Sequence, residues 1–133
     1  MRWLVKEEPE NYSYSQFQAD GRTVWAGVKN PVAQKNLRTM KKGDRVFFYH
    51  TGKEKAIVGT ATVAVEAYPD PKSASLVVVE LAVGKPLKRP VTLAEVKADK
   101  RFAAMPLVRL PRLSVQPVSD DEWETIEAMS NFT

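Results

Sequence analysis

The chain has 133 residues, of which 44% are hydrophobic, and this length suits one globular domain that buries roughly two-thirds of its unfolded surface. It has no cysteine and one histidine, which excludes disulfides and thiolate metal sites, so we expect no metal and no cofactor. Glu7 and Glu8 precede any signal-peptide core and no apolar run reaches membrane-spanning length, so we expect a cytoplasmic protein, nucleoid-associated if it is bacterial.

Charge is distributed unevenly along the sequence. The formal net charge is +4, yet residues 22–55 carry nine Lys or Arg against two Asp or Glu. Residues 85–112 carry eight against two, whereas acidic residues gather near the N-terminus and between residues 120 and 127. Such segregation favours a polyanionic partner, although many basic domains bind no anion.

Short strands and helices are predicted to alternate in the N-terminal part. A strand is expected over residues 2–5, followed by a turn at Pro9 and a helical segment over residues 14–18. Trp25 then lies on a glycine-bearing loop, where it could bind a ligand or simply belong to the core.

The helix after this loop has a clear start. Asn30 is a good N-cap, and Pro31 suits the first helical turn because its missing N–H costs nothing there. Ala33, Leu37 and Met40 recur at helical spacing and predict a buried stripe. A second stripe is cationic and should face water; it consists of Lys35, Arg38 and Lys42. A planar side chain beside a helix N-terminus and a cationic face favours a nucleotide site.

The middle of the chain reads as three strands. The first covers residues 45–50 and is followed by a hairpin loop over residues 51–55. A period-2 pattern predicts the second strand over residues 57–66, ended by residues 68–71, and the third covers residues 76–83.

The C-terminal part combines capped helices with short strand segments. Thr92 and Glu95 form a capping box for a short helix, and Ser119 and Glu122 form another for the last helix. Residues 107–110 and 113–115 are predicted as strand segments interrupted by Pro111. Together these elements predict an α+β fold, a small β-barrel or strongly curved mixed sheet with peripheral short helices.

Catalysis is poorly supported by the residues present. His50 is the single histidine, and no local signature pairs it with a nucleophile and an orienting carboxylate. Gly52-Lys53 resembles the end of a P-loop, but Phe47 stands where the earlier glycine is required and Glu54 replaces the Ser or Thr.

Seven sequence blocks together resemble the EVE domain, a PUA-like module of the thymocyte nuclear protein family that is related to YTH and ASCH domains. They are residues 3–9, 25–44, 47–51, 57–59, 66–71, 90–93 and 112–117. The resemblance runs from Trp3 to about Met129 and implies a single PUA-like domain over residues 1–133. Glu7 departs from it, since the family often has Ser there.

The resemblance implies a non-catalytic module that holds a modified base, cytosine or adenine, in an aromatic pocket. It would place Lys6, Glu7, Trp25, His50 and Thr51 around the base, with Glu7 accepting a hydrogen bond from an exocyclic amine.

Further residues are candidates for the same site. Additional base contacts are predicted from Lys29, Asn30, Tyr49, Tyr68, Arg112 and Ser114, and phosphate contacts from Lys35, Arg38, Lys41 and Lys42. Several of these have a structural alternative: Tyr49 and His50 could be satisfied by the backbone, Tyr68 could brace its turn, and Arg112 and Ser114 could fasten the final strand.

Two other functions stay open at this point. One is an RNA-binding PUA-like module in RNA maturation, because the sequence does not separate DNA from RNA. The other, with less support, is a small hydrolase of modified nucleotides that uses His50 as acid or base.

Overall fold

The computed structural model describes residues 1–131, which form one six-stranded sheet and the helices that pack against it. In chain order the elements are β1 (Arg2–Glu7), α1 (Tyr14–Asp20), β2 (Arg22–Trp25), α2 (Pro31–Thr39), β3 (Arg45–His50), β4 (Ala56–Asp70), β5 (Ser73–Thr92), α3 (Leu93–Ala98), a 3-10 turn (Lys100–Phe102), α4 (Pro106–Arg109), β6 (Val115–Val118) and α5 (Asp120–Asn131). The last two residues of the predicted domain lie outside the described range.

The strand order is β2-β5-β4-β3-β1-β6, with β1 and β3 parallel and the other neighbours antiparallel. This confirms the predicted α+β fold with a curved mixed sheet. The pairing of β4 with β5 shifts register at five places, and such irregularities bend strands. Within residues 1–131 no pairing joins β2 to β6, so the sheet is open rather than a closed barrel.

Helix α2 lies across the gap between the two sides of this open sheet. The Gln34 side-chain amide donates to the Val77 carbonyl at 3.1 Å and accepts from the Val77 N–H at 2.9 Å. Beyond the end of β2, this side chain therefore makes the two hydrogen bonds with β5 that the backbone of a neighbouring strand would otherwise make. The Asn36 amide donates to the Val115 carbonyl of β6 at 2.7 Å. Two side chains of one helix therefore link β5 to β6.

A hydrophobic core covers each face of the sheet, as the alternation of β3 shows. Val46 and Phe48 face α1 and α2 and pack in a cluster with Trp3, Phe17 and Leu37, which we call the α2 face. The intervening residues of β3, Phe47 and Tyr49, pack in the opposite cluster with Leu4, Trp123 and Ile126, which we call the α5 face.

The predicted helix starts are confirmed. Asn30 Oδ1 accepts hydrogen bonds from the N–H groups of Val32 and Ala33 at 2.9 and 3.0 Å. Thr92 with Glu95, and Ser119 with Glu122, form the two reciprocal capping boxes. The predicted stripe of Ala33, Leu37 and Met40 is buried.

Several predicted boundaries were wrong. Strand β2 was missed because four residues carry too little pattern, and Trp25 ends that strand rather than lying on a loop. Strand β5 runs over 20 residues instead of 76–83, since its length depends on pairing with β4. Residues 107–110, predicted as a strand, fall largely in α4, which Pro106 starts. The last strand begins at Val115 rather than at 113.

No helix among the described residues is long and apolar enough to cross a membrane.

Candidate functional site

The parallel pairing of β1 with β3 brings together several of the residues that were predicted to contact a base. Lys6 lies beside Tyr49 and Glu7 beside His50, at the C-terminal ends of both strands. The Thr51 N–H donates to the Glu7 carbonyl at 3.0 Å and continues the pairing by one residue. However, neighbouring residues of a strand point to opposite faces, so these side chains divide into two groups.

Lys6 and Tyr49 belong to the α5 face. The Lys6 ammonium lies 5.6 Å from the centroid of the Tyr49 ring and donates to the Pro111 carbonyl at 2.8 Å. The backbone N–H of Lys6 donates to the Ser114 carbonyl at 2.9 Å. Burial lowers the pKa of Lys6 and raises the pKa of Tyr49. Lys6 therefore fastens the segment after α4 to the end of β1, and this segment includes Ser114.

His50 lies on the α2 face, with both ring nitrogens bonded to protein groups. Nε2 accepts the Tyr14 backbone N–H at 3.0 Å, and Nδ1 lies 2.7 Å from a carboxylate oxygen of Glu54. Because a backbone N–H can only donate, Nε2 must be unprotonated, and the ring proton of a neutral imidazole then sits on Nδ1 and points to Glu54. His50 thus holds the start of α1 against the end of β3.

Glu7 and Thr51 take part in the turn that follows β1. Glu7 Oε1 accepts from the Glu8 N–H at 2.8 Å and from the Asn11 amide at 3.2 Å. The Thr51 hydroxyl donates to the Glu8 carboxylate at 3.1 Å. The second carboxylate oxygen of Glu7 has no hydrogen-bond donor within the described part of the chain.

Trp25 is 5% exposed and packs edge-on against Phe48, with ring centroids 5.6 Å apart. Within residues 1–131 its indole N–H finds no acceptor. It is also not one of the two fully enclosed side-chain polar atoms that lack a partner, Gln116 Oε1 and Trp123 Nε1. The ring of Trp25 is therefore a core element whose N–H is not fully enclosed.

Tyr68 lies away from the residues at the ends of β1 and β3. It pairs with Val78 on β5, and its hydroxyl donates to the Glu80 carboxylate at 2.7 Å. This hydrogen bond raises the pKa of Tyr68 and lowers that of Glu80. Arg22 donates to the same carboxylate at 3.1 Å, so Tyr68 braces the long β4–β5 hairpin.

A groove of about 340 Å³ separates the start of α2 from the segment after α4. This volume lies within the range of small-ligand sites. Its lining residues are Asn30, Val32, Arg109, Leu110, Pro111, Arg112 and Leu113. The structure thus brings the predicted residues Asn30 and Arg112 together, although the Asn30 side-chain oxygen already caps α2.

Sequence reasoning missed five lining residues of the groove: Val32, Arg109, Leu110, Pro111 and Leu113. Val32 and Leu110 are each 53% exposed, which is unusual for large apolar side chains. The signal available in the sequence was the run Arg109-Leu110-Pro111-Arg112, in which two cations flank an apolar pair.

Arginines near the groove differ from most of the other arginines, whereas no lysine among residues 1–131 forms an ion pair. Five of the eight arginines form ion pairs with carboxylates, namely Arg2, Arg22, Arg45, Arg89 and Arg101. In the described part of the chain Arg38, Arg109 and Arg112 form none. The exposed cations Lys29, Lys35, Lys41 and Lys42 lie before, on or just after α2 and also have no carboxylate partner among residues 1–131. We use the name groove side for the groove and these seven cations, of which Arg109 and Arg112 line the groove itself.

Residues 1–131 contain no group of three or more His, Cys, Asp or Glu side chains that could hold a metal ion.

Comparison with known proteins gives consistent matches over nearly the whole chain. Human thymocyte nuclear protein 1 is 31% identical over 160 aligned positions, which cover 93% of this chain and 71% of that protein. An NMR structure of a Rhodopseudomonas palustris protein is 47% identical, with a TM-score of 0.93 over 97% of this chain and 92% of that one.

Two further solved structures extend the comparison. Human THYN1 in complex with DNA that contains 5-methylcytosine is 28% identical and has a TM-score of 0.91, covering 99% of this chain and 98% of that one. ASCH from Zymomonas mobilis, at 13% identity and a TM-score of 0.59, covers 99% of this chain and 96% of that one and shares the fold alone. The family model of the EVE domain matches residues 1–129, and the chain belongs to the EVE domain family.

Proposed function

We propose that this chain binds DNA on its groove side and recognises a modified base there, cytosine in preference to adenine, without converting it. The observation that carries the proposal is its likeness to human THYN1, whose structure contains DNA with 5-methylcytosine. That likeness covers 99% of this chain.

The distribution of free cations supports a nucleic-acid partner. A carboxylate paired with an arginine compensates its positive field, whereas Arg38, Arg109 and Arg112 have no carboxylate partner among residues 1–131 and are available to a ligand. Arginine guanidinium groups match phosphate oxygens in a bidentate geometry. The lysines along α2 add charge, and phosphate contacts of this kind supply most sequence-independent affinity for DNA.

For the base itself we assign hydrogen-bonding roles to Trp25 and Glu7. Within residues 1–131 the Trp25 N–H has no acceptor and one Glu7 carboxylate oxygen has no donor, so the first suits a ring acceptor and the second the exocyclic amine of a cytosine. Trp25 belongs to the same core cluster as Leu113, which lines the groove. Extruding a base costs a few kcal/mol, so phosphate contacts must contribute to the net affinity.

The hydrogen bonds of His50 favour binding without chemistry. A general acid or base must reach the reacting group with a free nitrogen, and both nitrogens of His50 are occupied by Tyr14 and Glu54. We therefore assign His50 a structural role. Prolonged incubation with modified oligonucleotides, followed by mass spectrometry, is expected to yield no product; turnover that disappears in His50→Gln would overturn this assignment.

The test of the reader function is a set of matched oligonucleotides. Fluorescence anisotropy would compare duplex DNA, single-stranded DNA and RNA, each with cytosine, 5-methylcytosine, adenine or N6-methyladenine at one position. We expect the tightest binding to DNA with 5-methylcytosine. Equal affinity for modified and unmodified partners would refute recognition of a modified base, and consistently tighter binding to RNA would favour the RNA-maturation alternative.

A further inference from the structure

We propose that Leu110, supported by Val32, is an apolar wedge that enters duplex DNA beside the modified base and fills the space the extruded base leaves. This inference rests on the proposed function and adds a preference for duplex DNA that the base pocket by itself would not provide.

The first observation is the exposure of these two side chains. In the described part of the chain, four large hydrophobic residues are exposed: Met1, Val24, Val32 and Leu110. Val32 and Leu110 line one groove, although they are 78 positions apart in the sequence. Two exposed apolar groups brought together by separate elements form an apolar surface that suits a partner with apolar groups of its own.

The second observation is that the backbone holds Leu110 firmly. Its N–H donates to the Pro106 carbonyl at 2.7 Å, and its carbonyl accepts the Leu113 N–H at 3.0 Å. The next residue is Pro111, whose ring restricts the backbone and whose carbonyl accepts the Lys6 ammonium at 2.8 Å. The tip that carries Leu110 is therefore braced from α4, from the following turn and from β1.

The third observation is the charge on either side of the tip. Arg109 and Arg112 flank Leu110 and Pro111 in the sequence and line the same groove. Neither forms an ion pair within residues 1–131. A partner for this tip must therefore present both anions and apolar planes within a few ångströms.

Duplex DNA meets both requirements, since phosphates border stacked bases along each strand. Proteins that deform DNA insert Leu, Ile, Met or Phe side chains between base steps and hold the adjacent phosphates with cations. An apolar peptide would leave the arginines unmatched, and a free phosphate would leave Leu110 and Val32 exposed. We therefore commit to duplex DNA as the occupant.

The wedge has a consequence that a simple pocket wall would not have. In a duplex the extruded base leaves a gap that apolar atoms must fill, whereas a single strand has no such gap. Shortening Leu110 should therefore weaken binding to duplex DNA and leave binding to the matching single strand almost unchanged.

The experiment measures the affinities of both forms of one 5-methylcytosine oligonucleotide by anisotropy. For Leu110→Ser we expect about a tenfold loss on the duplex, because unstacking one step costs a few kcal/mol that the wedge offsets in part. The single-strand affinity should change by less than about twofold, well under the 1.4 kcal/mol that a tenfold effect represents. Leu110→Met, which keeps an apolar side chain of similar volume, should retain the duplex affinity.

Val24→Ser is the matched control, since Val24 is an apolar residue of 49% exposure on β2 outside the groove. It should change neither affinity. A second readout places 2-aminopurine beside the modified base, whose fluorescence should rise when the wild-type protein unstacks the step and should stay low with Leu110→Ser.

Each outcome decides a separate point. Equal losses on duplex and single strand would overturn the wedge and make Leu110 a wall of the base site. No loss on either would show that the groove tip does not touch DNA. A wild-type protein that does not distinguish modified from unmodified DNA would refute the proposed reader, whatever Leu110→Ser does to the ratio of duplex to single-strand affinity.

Discussion

On the α5 face, Arg2 and Arg45 lie over the Trp123 ring, with guanidinium carbons 5.6 and 5.0 Å from its centroid. Each also faces a carboxylate of α5, Asp120 at 2.6 Å and Glu127 at 4.0 Å. On the groove side, Arg109 and Arg112 have neither an aromatic ring nor a carboxylate partner in the described chain. Arginine side chains are thus paired within the protein on the α5 face and left available to a ligand on the groove side.

The two tryptophans show the same difference. Trp123 is fully buried and stacks on Phe47 with ring centroids 3.6 Å apart, while its N–H is enclosed without a partner. Trp25 is nearly as buried, yet its N–H is not fully enclosed and has no acceptor within residues 1–131. Burial alone therefore does not separate a structural tryptophan from one that can contact a ligand; the position of the polar atom does.

The largest expected effect concerns the α5 face. Trp123→Ala should lower the free energy of unfolding by about 3–5 kcal/mol, because it removes a stacked and fully buried ring. Urea unfolding measures this loss. Trp123→Phe is the control: it keeps an aromatic ring near Phe47, removes the unpartnered N–H, and should cost clearly less. A stable Trp123→Ala protein that had lost its preference for modified DNA would invalidate the comparison of the two sides.

The next effect tests the free arginines. Replacing Arg38, Arg109 and Arg112 together by Gln should weaken binding to every DNA sequence and flatten its salt dependence. Each lost phosphate contact removes roughly 0.9 from the log–log slope on duplex DNA. The matched control replaces the paired residues Arg22, Arg45 and Arg101 by Gln, which changes the net charge equally. If both triple variants showed the same slope, total charge rather than the groove side would govern binding.

A smaller effect is expected at Trp25. Because the ring packs in the core, Trp25→Ala would also cost several kcal/mol of stability, so it does not isolate binding. Trp25→Phe keeps an aromatic ring against Phe48 and removes only the indole part with its N–H. We expect the affinity for modified DNA to fall by about 1 kcal/mol, the net value of one hydrogen bond. An unchanged affinity, measured by anisotropy, would assign Trp25 to the core alone.

The smallest effect is electrostatic and lies away from the groove. The Arg89 guanidinium, 2.9 Å away, holds the pKa of Glu95 at about 2, below its usual 4.5. A depressed carboxylate pKa stabilises the fold above about pH 4.5, and this contribution is lost as pH falls towards 2. Because Glu95 is one-third exposed, we expect it to contribute at most about 1 kcal/mol. Stability of Glu95→Gln should depend less on pH in this window; an identical slope would refute the pair's contribution.

Local features were predicted well because their causes lie within a few residues. Asn30, Thr92 and Ser119 cap helices through hydrogen bonds to N–H groups two or three positions ahead, so the sequence contains all the participants. The exposure of Lys35 and Arg38 likewise follows from helical spacing opposite a buried stripe, whereas Lys42, predicted on the same stripe, lies in the turn beyond the end of α2 at Thr39.

Longer-range features were predicted less well. The sequence left open whether Tyr68 and His50 contact a ligand or have structural partners, and it did not indicate that Glu80, Tyr14 and Glu54 hydrogen-bond those side chains. The exposed apolar pair of Val32 and Leu110 depends on the start of α2 and the segment after α4 lining one groove, and residues 107–110 carried no recognisable helical pattern.

By itself the sequence determined the α+β class, the helix starts, the cationic face of α2 and the membership in the EVE domain family, since these depend on local chemistry and on the order of motifs along the chain. Only the tertiary structure decided which polar atoms stay free. The hydrogen-bond partners of His50 and Tyr68 lie 4 to 36 residues away along the chain. Within residues 1–131, Arg109 and Arg112 have no carboxylate partner and the Trp25 N–H has no acceptor. Whether a buried or charged group finds a partner depends on which strands and helices the fold places beside it.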